Sequence, residues 1–331
     1  MALVYHEDAG DLDVLVGKPV GILGYGTLGR PLAWNLRDSG LDVRVGASNR
    51  EDGTYQRAID DGFLTGMIED IASETAIKFL LLPDESMPAT YIERVFPHLR
   101  RGDTLVFASG YNLTYGFIEP PSVVDVVLIA PRIVADAVRE RYLDGRGFHS
   151  MIAIGQDASG SAWRTLMALA KAVGTLKAGA VEVTIEQETH LDLFLQQAII
   201  PAVYNLFTKA ATVLREAGYP NEASMMDLYI SGELNEVMGR AEQEGLLHAV
   251  RKSTMTAQFG LLTRLERYNE LQIDRIMTNI LRDIRNGAFA KEWQREYADG
   301  QPRLKRMLKT QENLELWEQE QQTIDILKRG L

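Results

Sequence analysis

Residues 19–29 read Pro19-Val20-Gly21-Ile22-Leu23-Gly24-Tyr25-Gly26-Thr27-Leu28-Gly29, and the stretch Gly29–Asp38 continues with helical spacing. A short apolar run, a G-x-G-x-x-G turn and a helix in that order form the dinucleotide-binding fingerprint. The three glycines are expected to serve different ends. Gly24 permits the tight turn, Gly26 lets a pyrophosphate approach closely, and Gly29 allows helix–strand packing. The helix start offers free N–H groups and a positive dipole end to phosphate. With the backbone of Tyr25, Thr27 and Leu28, these glycines are the expected pyrophosphate cradle. The competing reading is a tight turn in some other α/β protein, and the strand–turn–helix context argues against it.

Working outward, apolar runs recur at Asp42–Val45, Lys78–Leu82, Thr104–Phe107, Asp125–Ile129 and His149–Ile154. Several are continuous rather than alternating, as in parallel strands covered on both faces. Helical stretches such as Ala162–Ala172 lie among them or follow them, the mark of a doubly wound sheet. After about Val183 strand signals stop. Long helical patterns follow over Ile185–Glu216, Glu222–Glu244, Lys252–Ile284 and Pro302–Lys328, and Pro201 is expected to kink or break the first. The fold class is therefore α/β: a Rossmann-type doubly wound sheet over 1–183 and an all-α domain over 184–331.

Composition narrows the function. The chain has 331 residues, no cysteine and a formal net charge of −11. That charge repels nucleic acid and anionic membrane, so neither is an expected partner and a small-molecule substrate is. Lack of cysteine removes disulfides, thiolate metal sites and thiol nucleophiles. Residues 1–17 are acidic and polar with no apolar core, and no apolar run is long enough for a bilayer. A cytoplasmic location is the corresponding expectation.

The loop after Val45 bears on the choice between NADH and NADPH. Ser48 and Arg50 suit a 2′-phosphate, whereas Glu51 and Asp52 repel one and accept from a free ribose hydroxyl; Thr54 closes the loop. The acidic pair tips the reading slightly toward NADH. Leu82, Pro83 and Ser109, at the ends of later strands, complete the expected cofactor set.

These segments resemble the short, class I form of ketol-acid reductoisomerase. The resemblance runs over nearly the whole chain, through Gly24-Tyr25-Gly26, Asn35–Gly40, Leu81-Leu82-Pro83-Asp84-Glu85, Phe107–Asn112, Ala130-Pro131, Asp192-Leu193-Phe194, Glu216–Tyr219 and Gly287–Trp293. It implies a knotted all-α second domain, two magnesium ions held by carboxylates one helical turn apart, and alkyl migration on an acetohydroxy acid followed by reduction. The first ligand pair falls at Asp192 and Gln196, the second at Tyr229 and Glu233, so an amide and a phenol stand where carboxylates are implied. Ser109 replaces the family's histidine, Arg132 its lysine, His190 a glutamate, and Thr254 its substrate serine.

Magnesium prefers anionic oxygen, so paired binding is expected to be weak or absent. The expected activity is an NAD(P)H-dependent reductase of a small ketone, keto acid or imine that has dropped the isomerisation. Asp192 is the first candidate for acid–base work and Glu233 the second, with His190, Tyr229 and Thr254 as further polar groups. Two alternatives stay open: a true ketol-acid reductoisomerase, and a non-catalytic NAD(P)-binding protein. The long apolar-striped helices of the second half need a covering surface, so a homodimer or higher homo-oligomer is expected.

Overall fold

The computed structural model describes residues 2–51 and 53–328; Asp52 lies outside them. The chain forms two compact units, Met1–Leu191 and Asp192–Leu331.

Among the described residues, the first unit is built on nine strands: β1 (Val4–Tyr5), β2 (Val20–Leu23), β3 (Val43–Ala47), β4 (Leu64–Met67), β5 (Ile77–Leu80), β6 (Thr104–Phe107), β7 (Asp125–Pro131), β8 (Ser150–Gln156) and β9 (Ala180–Glu182). Their order is β1-β9-β8-β7-β6-β5-β2-β3-β4. The strands from β4 through β7 pair in parallel, and β8 turns antiparallel onto β7. The central strands β2, β5 and β6 are buried along their whole length, which is why they read as unbroken apolar runs. Strand order reverses between β2 and β5. That is the topological switch point, where an open α/β sheet leaves a crevice beyond its carboxyl ends.

Two cores cover the two faces of this sheet. One gathers Leu32, Leu36, Val106, Leu166 and Leu169. The other gathers Ile68, Ile71, Tyr91, Leu105 and Phe107. The helix Gly29–Asp38 contributes through Leu32, Ala33 and Leu36, spaced three and four apart so that one stripe meets the strands.

Three strands escape a reading of apolar runs. β1, β4 and β9 are two to four residues long and carry exposed or half-buried positions. Edge contacts secure β1 instead: the Tyr5 hydroxyl donates to Glu182 at 2.9 Å, and its ring meets Trp163 edge-on at 5.1 Å.

The second unit is helical. Pro201 does not break the first long helix. A π-helical turn over Leu195–Ile199 leads without a gap into Ile200–Glu216, and this local change in the hydrogen-bond ladder accommodates a proline that supplies no N–H. The pattern over Glu222–Glu244 divides into Asn221–Met225, a π turn over Met226–Ile230, and Glu233–Glu244. Gly232, at φ +82°, makes the break. The pattern over Lys252–Ile284 divides likewise, into Met255–Asn269 and Ile273–Arg285. Apolar periodicity continues through each break, so spacing alone does not reveal them.

At the amino end of β5, Lys78 is fully buried. Its ammonium donates to Asp103 at 2.7 Å and to the Thr75 carbonyl. Burial holds the Lys78 pKa below the usual lysine range, against the opposing pull of Asp103. Removing one partner of a buried pair strands the other charge, at about 3–5 kcal/mol. Asp103→Ala is therefore expected to cost about 3 kcal/mol in urea unfolding, whereas loss of an exposed pair such as Arg146–Asp144 is expected to cost under about 1 kcal/mol.

Candidate functional site

The dinucleotide turn lies at the switch point. Gly24 has φ +108°, and a Cβ there would meet the Leu81 carbonyl oxygen at 2.5 Å. A Cβ on Gly29 would meet the Gly24 carbonyl oxygen at 2.0 Å. These contacts fold the turn tightly against the end of β5. Gly26 differs: a Cβ there meets nothing within 4 Å, so its surface is open to a ligand. Such a cradle, at the start of a helix with free N–H groups, fits the pyrophosphate of a nicotinamide dinucleotide.

Tyr25 contributes backbone only. Its ring is buried, edge-on to Phe63 at 5.8 Å, and its hydroxyl donates to Asp61 at 2.7 Å. Arg30 pairs with both oxygens of the same carboxylate, at 2.7 and 2.9 Å. Burial and the bond to Asp61 raise the Tyr25 pKa well above the usual phenol range. The Arg30 bond holds Asp61 below the usual carboxylate range. Asp61 thus anchors the turn and the helix start together, a role that nothing in the motif announces.

In the loop after β3, Ser48 and Arg50 are exposed, as a ribose-reading loop requires, and Thr54 is half-buried. The Ser48 carbonyl accepts from Arg94 at 2.7 Å, and Arg94 is also held by Glu69. Arg94 is invisible to local reading because it is far along the chain. Leu82 is half-buried and Pro83 exposed, just beyond β5.

The ends of β6 and β7 carry a second cluster. Ser109 accepts from the Tyr111 N–H at 3.3 Å, closing a small turn. Next to it, the Gly110 N–H donates to Glu188 at 2.8 Å, and the other Glu188 oxygen accepts from Arg132 at 2.9 Å. Glu188 is buried. A Cβ on Gly110 would meet Thr189 Oγ1 at 2.6 Å and the Ile185 carbonyl oxygen at 2.8 Å, so glycine admits the helix Ile185–Phe194. Thr114 and Thr189 share a hydrogen bond at 2.9 Å. Glu188 escaped the sequence reading. Its position four residues before Asp192, on the same helix face, was the available signal. His190 is half-buried, 3.9 Å from Glu186.

In the helical unit, Asp192 Oδ2 accepts from Gln196 Nε2 at 2.8 Å. Glu233 is exposed at the start of its helix. Thr254 caps the helix Met255–Asn269, accepting from the Ala257 N–H at 3.2 Å. Tyr229 donates to Glu320, and burial followed by that bond raises its pKa well above the usual phenol range, so it remains a neutral phenol. Tyr229 lies within the π turn and Gly232 breaks the helix before Glu233, so the two are not successive positions on one regular helix face. Asp227, an exposed carboxylate within that turn, is one that regular helical spacing does not single out.

Magnesium takes several oxygen ligands, preferably anionic. Among the described residues of the single chain, no three His, Cys, Asp or Glu side chains come together as a metal-holding group.

A doubly wound sheet with a dinucleotide cradle at its switch point, joined to a helical unit, defines a nicotinamide-dependent oxidoreductase. The family model described as acetohydroxy acid isomeroreductase, NADPH-binding domain, matches residues 14–179, and that of the ketol-acid reductoisomerase C-terminal domain matches 185–328. The chain belongs to the ketol-acid reductoisomerase family. It is 37% identical over 316 residues, 95% of each chain, to ketol-acid reductoisomerase (NADP(+)) of Methanothermobacter thermautotrophicus. It is 37% identical to ketol-acid reductoisomerase (NAD(P)(+)) of Metallosphaera sedula, over 93% of this chain and 91% of the other. The solved structure of an NADH-preferring ketol-acid reductoisomerase from an uncultured archean matches with a TM-score of 0.91 at 30% identity, covering 98% of each chain.

These relatives overturn the expectation of a reductase that has dropped the isomerisation. That expectation leans on Tyr229 as a lost metal ligand, and it assumes an unbroken helix through 229–233. The structure has a π turn and a left-handed glycine there.

Two outcomes follow. Gly26→Val has room in the free protein, so it is expected to keep the thermal midpoint within about 3 °C, the shift of a sub-kcal/mol change. It is expected to lower NAD(P)H affinity at least ~100-fold by fluorescence titration, because the pyrophosphate can no longer approach. Glu188→Gln, which removes the buried carboxylate charge that faces Arg132, is expected to cost about 3 kcal/mol of stability and to spare NAD(P)H affinity.

Proposed function

We propose that this protein is a ketol-acid reductoisomerase that uses a nicotinamide cofactor to convert an acetohydroxy acid into a dihydroxy acid. The observation that carries the reading is resemblance over the full chain, in both halves, to proteins of that name. Residues 1–183 serve the cofactor, and 184–331 serve the substrate and assembly. The turn Gly24–Gly29 holds the pyrophosphate, the loop 48–54 reads the ribose, and Leu82, Pro83 and Ser109 border the nicotinamide. A bound nicotinamide supplies the hydride.

Glu188 fixes the Gly110 turn and aligns Arg132, whose guanidinium stays charged and directs donors along a fixed plane. That plane suits a substrate carboxylate or a polarised carbonyl oxygen. Asp192, Glu233, His190 and Thr254 are the polar groups assigned to the substrate side.

Magnesium binding in this reading is weak. The amide of Gln196 supplies one negative charge fewer than a carboxylate beside Asp192. NADH is the preferred cofactor: Glu51 and Asp52 oppose a 2′-phosphate, and one solved relative is described as NADH-preferring. The protein works as a homodimer. The helix Met255–Asn269 buries none of its own residues and leaves Phe259, Leu262 and Leu265 more than half exposed. An exposed apolar stripe of that kind marks an interaction surface, and a two-fold symmetric partner is the commonest oligomeric solution.

The test measures NAD(P)H oxidation with acetolactate, a simple 2-keto acid and a cyclic imine. Turnover of acetolactate supports the reading; turnover of the keto acid or imine alone overturns it. Magnesium is expected to saturate in the millimolar range, and Gln196→Glu to lower the half-saturating concentration about tenfold, near the worth of one well-placed charge. Asp52→Ser is expected to shift preference at least ~5-fold toward NADPH by removing a repulsive charge. Light scattering at micromolar concentration is expected to give twice the chain mass, and a monomer would remove the dimer from the account.

A further inference from the structure

The helical unit contains a cavity of about 380 Å³ that the proposed reaction does not use. Its walls are chiefly aromatic: Tyr204 and Phe207 from the helix Ile200–Glu216, Tyr229 from the π turn, and Trp317 from the helix Glu315–Lys328. The rings stand in two tilted pairs. Tyr204 and Trp317 lie 5.4 Å apart, and Phe207 and Tyr229 lie 5.2 Å apart. Both tyrosine hydroxyls are engaged, that of Tyr204 with Gln311 at 2.9 Å and that of Tyr229 with Glu320.

Glu320 sets the electrostatics. It lines the cavity, and one of its oxygens accepts from Tyr229. No lysine, arginine or histidine stands among the described lining residues, so its charge has no cationic counterpart in the wall. Four aromatic rings and one carboxylate around a single space attract a cation through ring quadrupoles and through charge. A bare metal ion gains little, because the wall offers one carboxylate and no second anionic ligand. A neutral apolar molecule gains from burial but leaves the carboxylate unpaired. The volume lies in the range of small-molecule pockets, larger than a bare ammonium requires.

We infer that this cavity binds a small alkylammonium compound, with the cationic head between Glu320 and the rings and the apolar part along Ala211 and Leu316. It is a site separate in sequence and in chemistry from the dinucleotide cradle. The inference also accounts for Tyr229, whose hydroxyl fixes one oxygen of Glu320 and so orients the carboxylate.

The test is isothermal titration calorimetry of the full-length protein with tetramethylammonium chloride, using sodium chloride as the salt control and tert-butanol as the neutral isostere. One site per chain is expected, with tert-butanol binding at least ~10-fold more weakly. Glu320→Gln and Trp317→Leu are each expected to weaken tetramethylammonium binding at least ~10-fold, in variants whose circular dichroism matches the parent. Three results overturn the inference: no tetramethylammonium binding to the parent protein, equal affinity for tert-butanol, or unchanged affinity in Glu320→Gln. The first two need no variant, so misfolding of a substituted chain does not protect the proposal. A second copy of the chain filling the cavity would give the first of these results.

Discussion

Everything on the cofactor side depends on one close contact between backbones. Gly29 sits so near the Gly24 carbonyl that no side chain fits between them, and Gly24 in turn crowds the Leu81 carbonyl just past the end of β5. The turn is thereby clamped to the two strands that flank the switch point, and the helix Gly29–Asp38 starts directly over the crevice. Its first N–H groups and positive dipole end are the kind of group that binds a pyrophosphate. Asp61 reinforces the clamp from outside by holding Arg30 and the Tyr25 hydroxyl. Only Gly26 is left open, and that asymmetry separates a ligand cradle from an ordinary tight turn.

A second clasp lies at the ends of β6 and β7. One buried carboxylate, Glu188, joins the Gly110 backbone to the Arg132 guanidinium. Burying that charge is tolerable because it is paired and hydrogen-bonded at both oxygens. The arrangement fixes the backbone of the Ser109–Gly110 turn and the direction of Arg132 with the same group. Where a lysine is flexible and can give up its proton, an arginine here stays charged and planar.

The sequence is most informative where local rules act. The span Gly29–Asp38 and the strand Thr104–Phe107 match their elements end to end, because an amphipathic stripe and a buried apolar run are local signals. Short edge strands such as Leu64–Met67 are missed, since pairing with β3 rather than apolar content creates them. Helix breaks at Gly232 and around residues 270–272 are missed because apolar periodicity continues across them. In the site, the glycine turn is legible, whereas Asp61, Arg94 and Glu188 act through partners 25 to 78 residues away. The same π turn that moves Tyr229 out of register with Glu233 also misdirects the functional reading. A missing ligand inferred from spacing is only as sound as the helix assumed for it.

On the proposed function, this chain rearranges a carbon skeleton as well as reducing it. The most direct measurement is proton NMR of the diol formed from acetolactate and NAD(P)H. Migration before reduction places both methyl groups on one carbon, and the account predicts two methyl singlets. Reduction without migration leaves one methyl on each of two carbons. The spectrum would then show one singlet and one doublet, and that result would contradict the account.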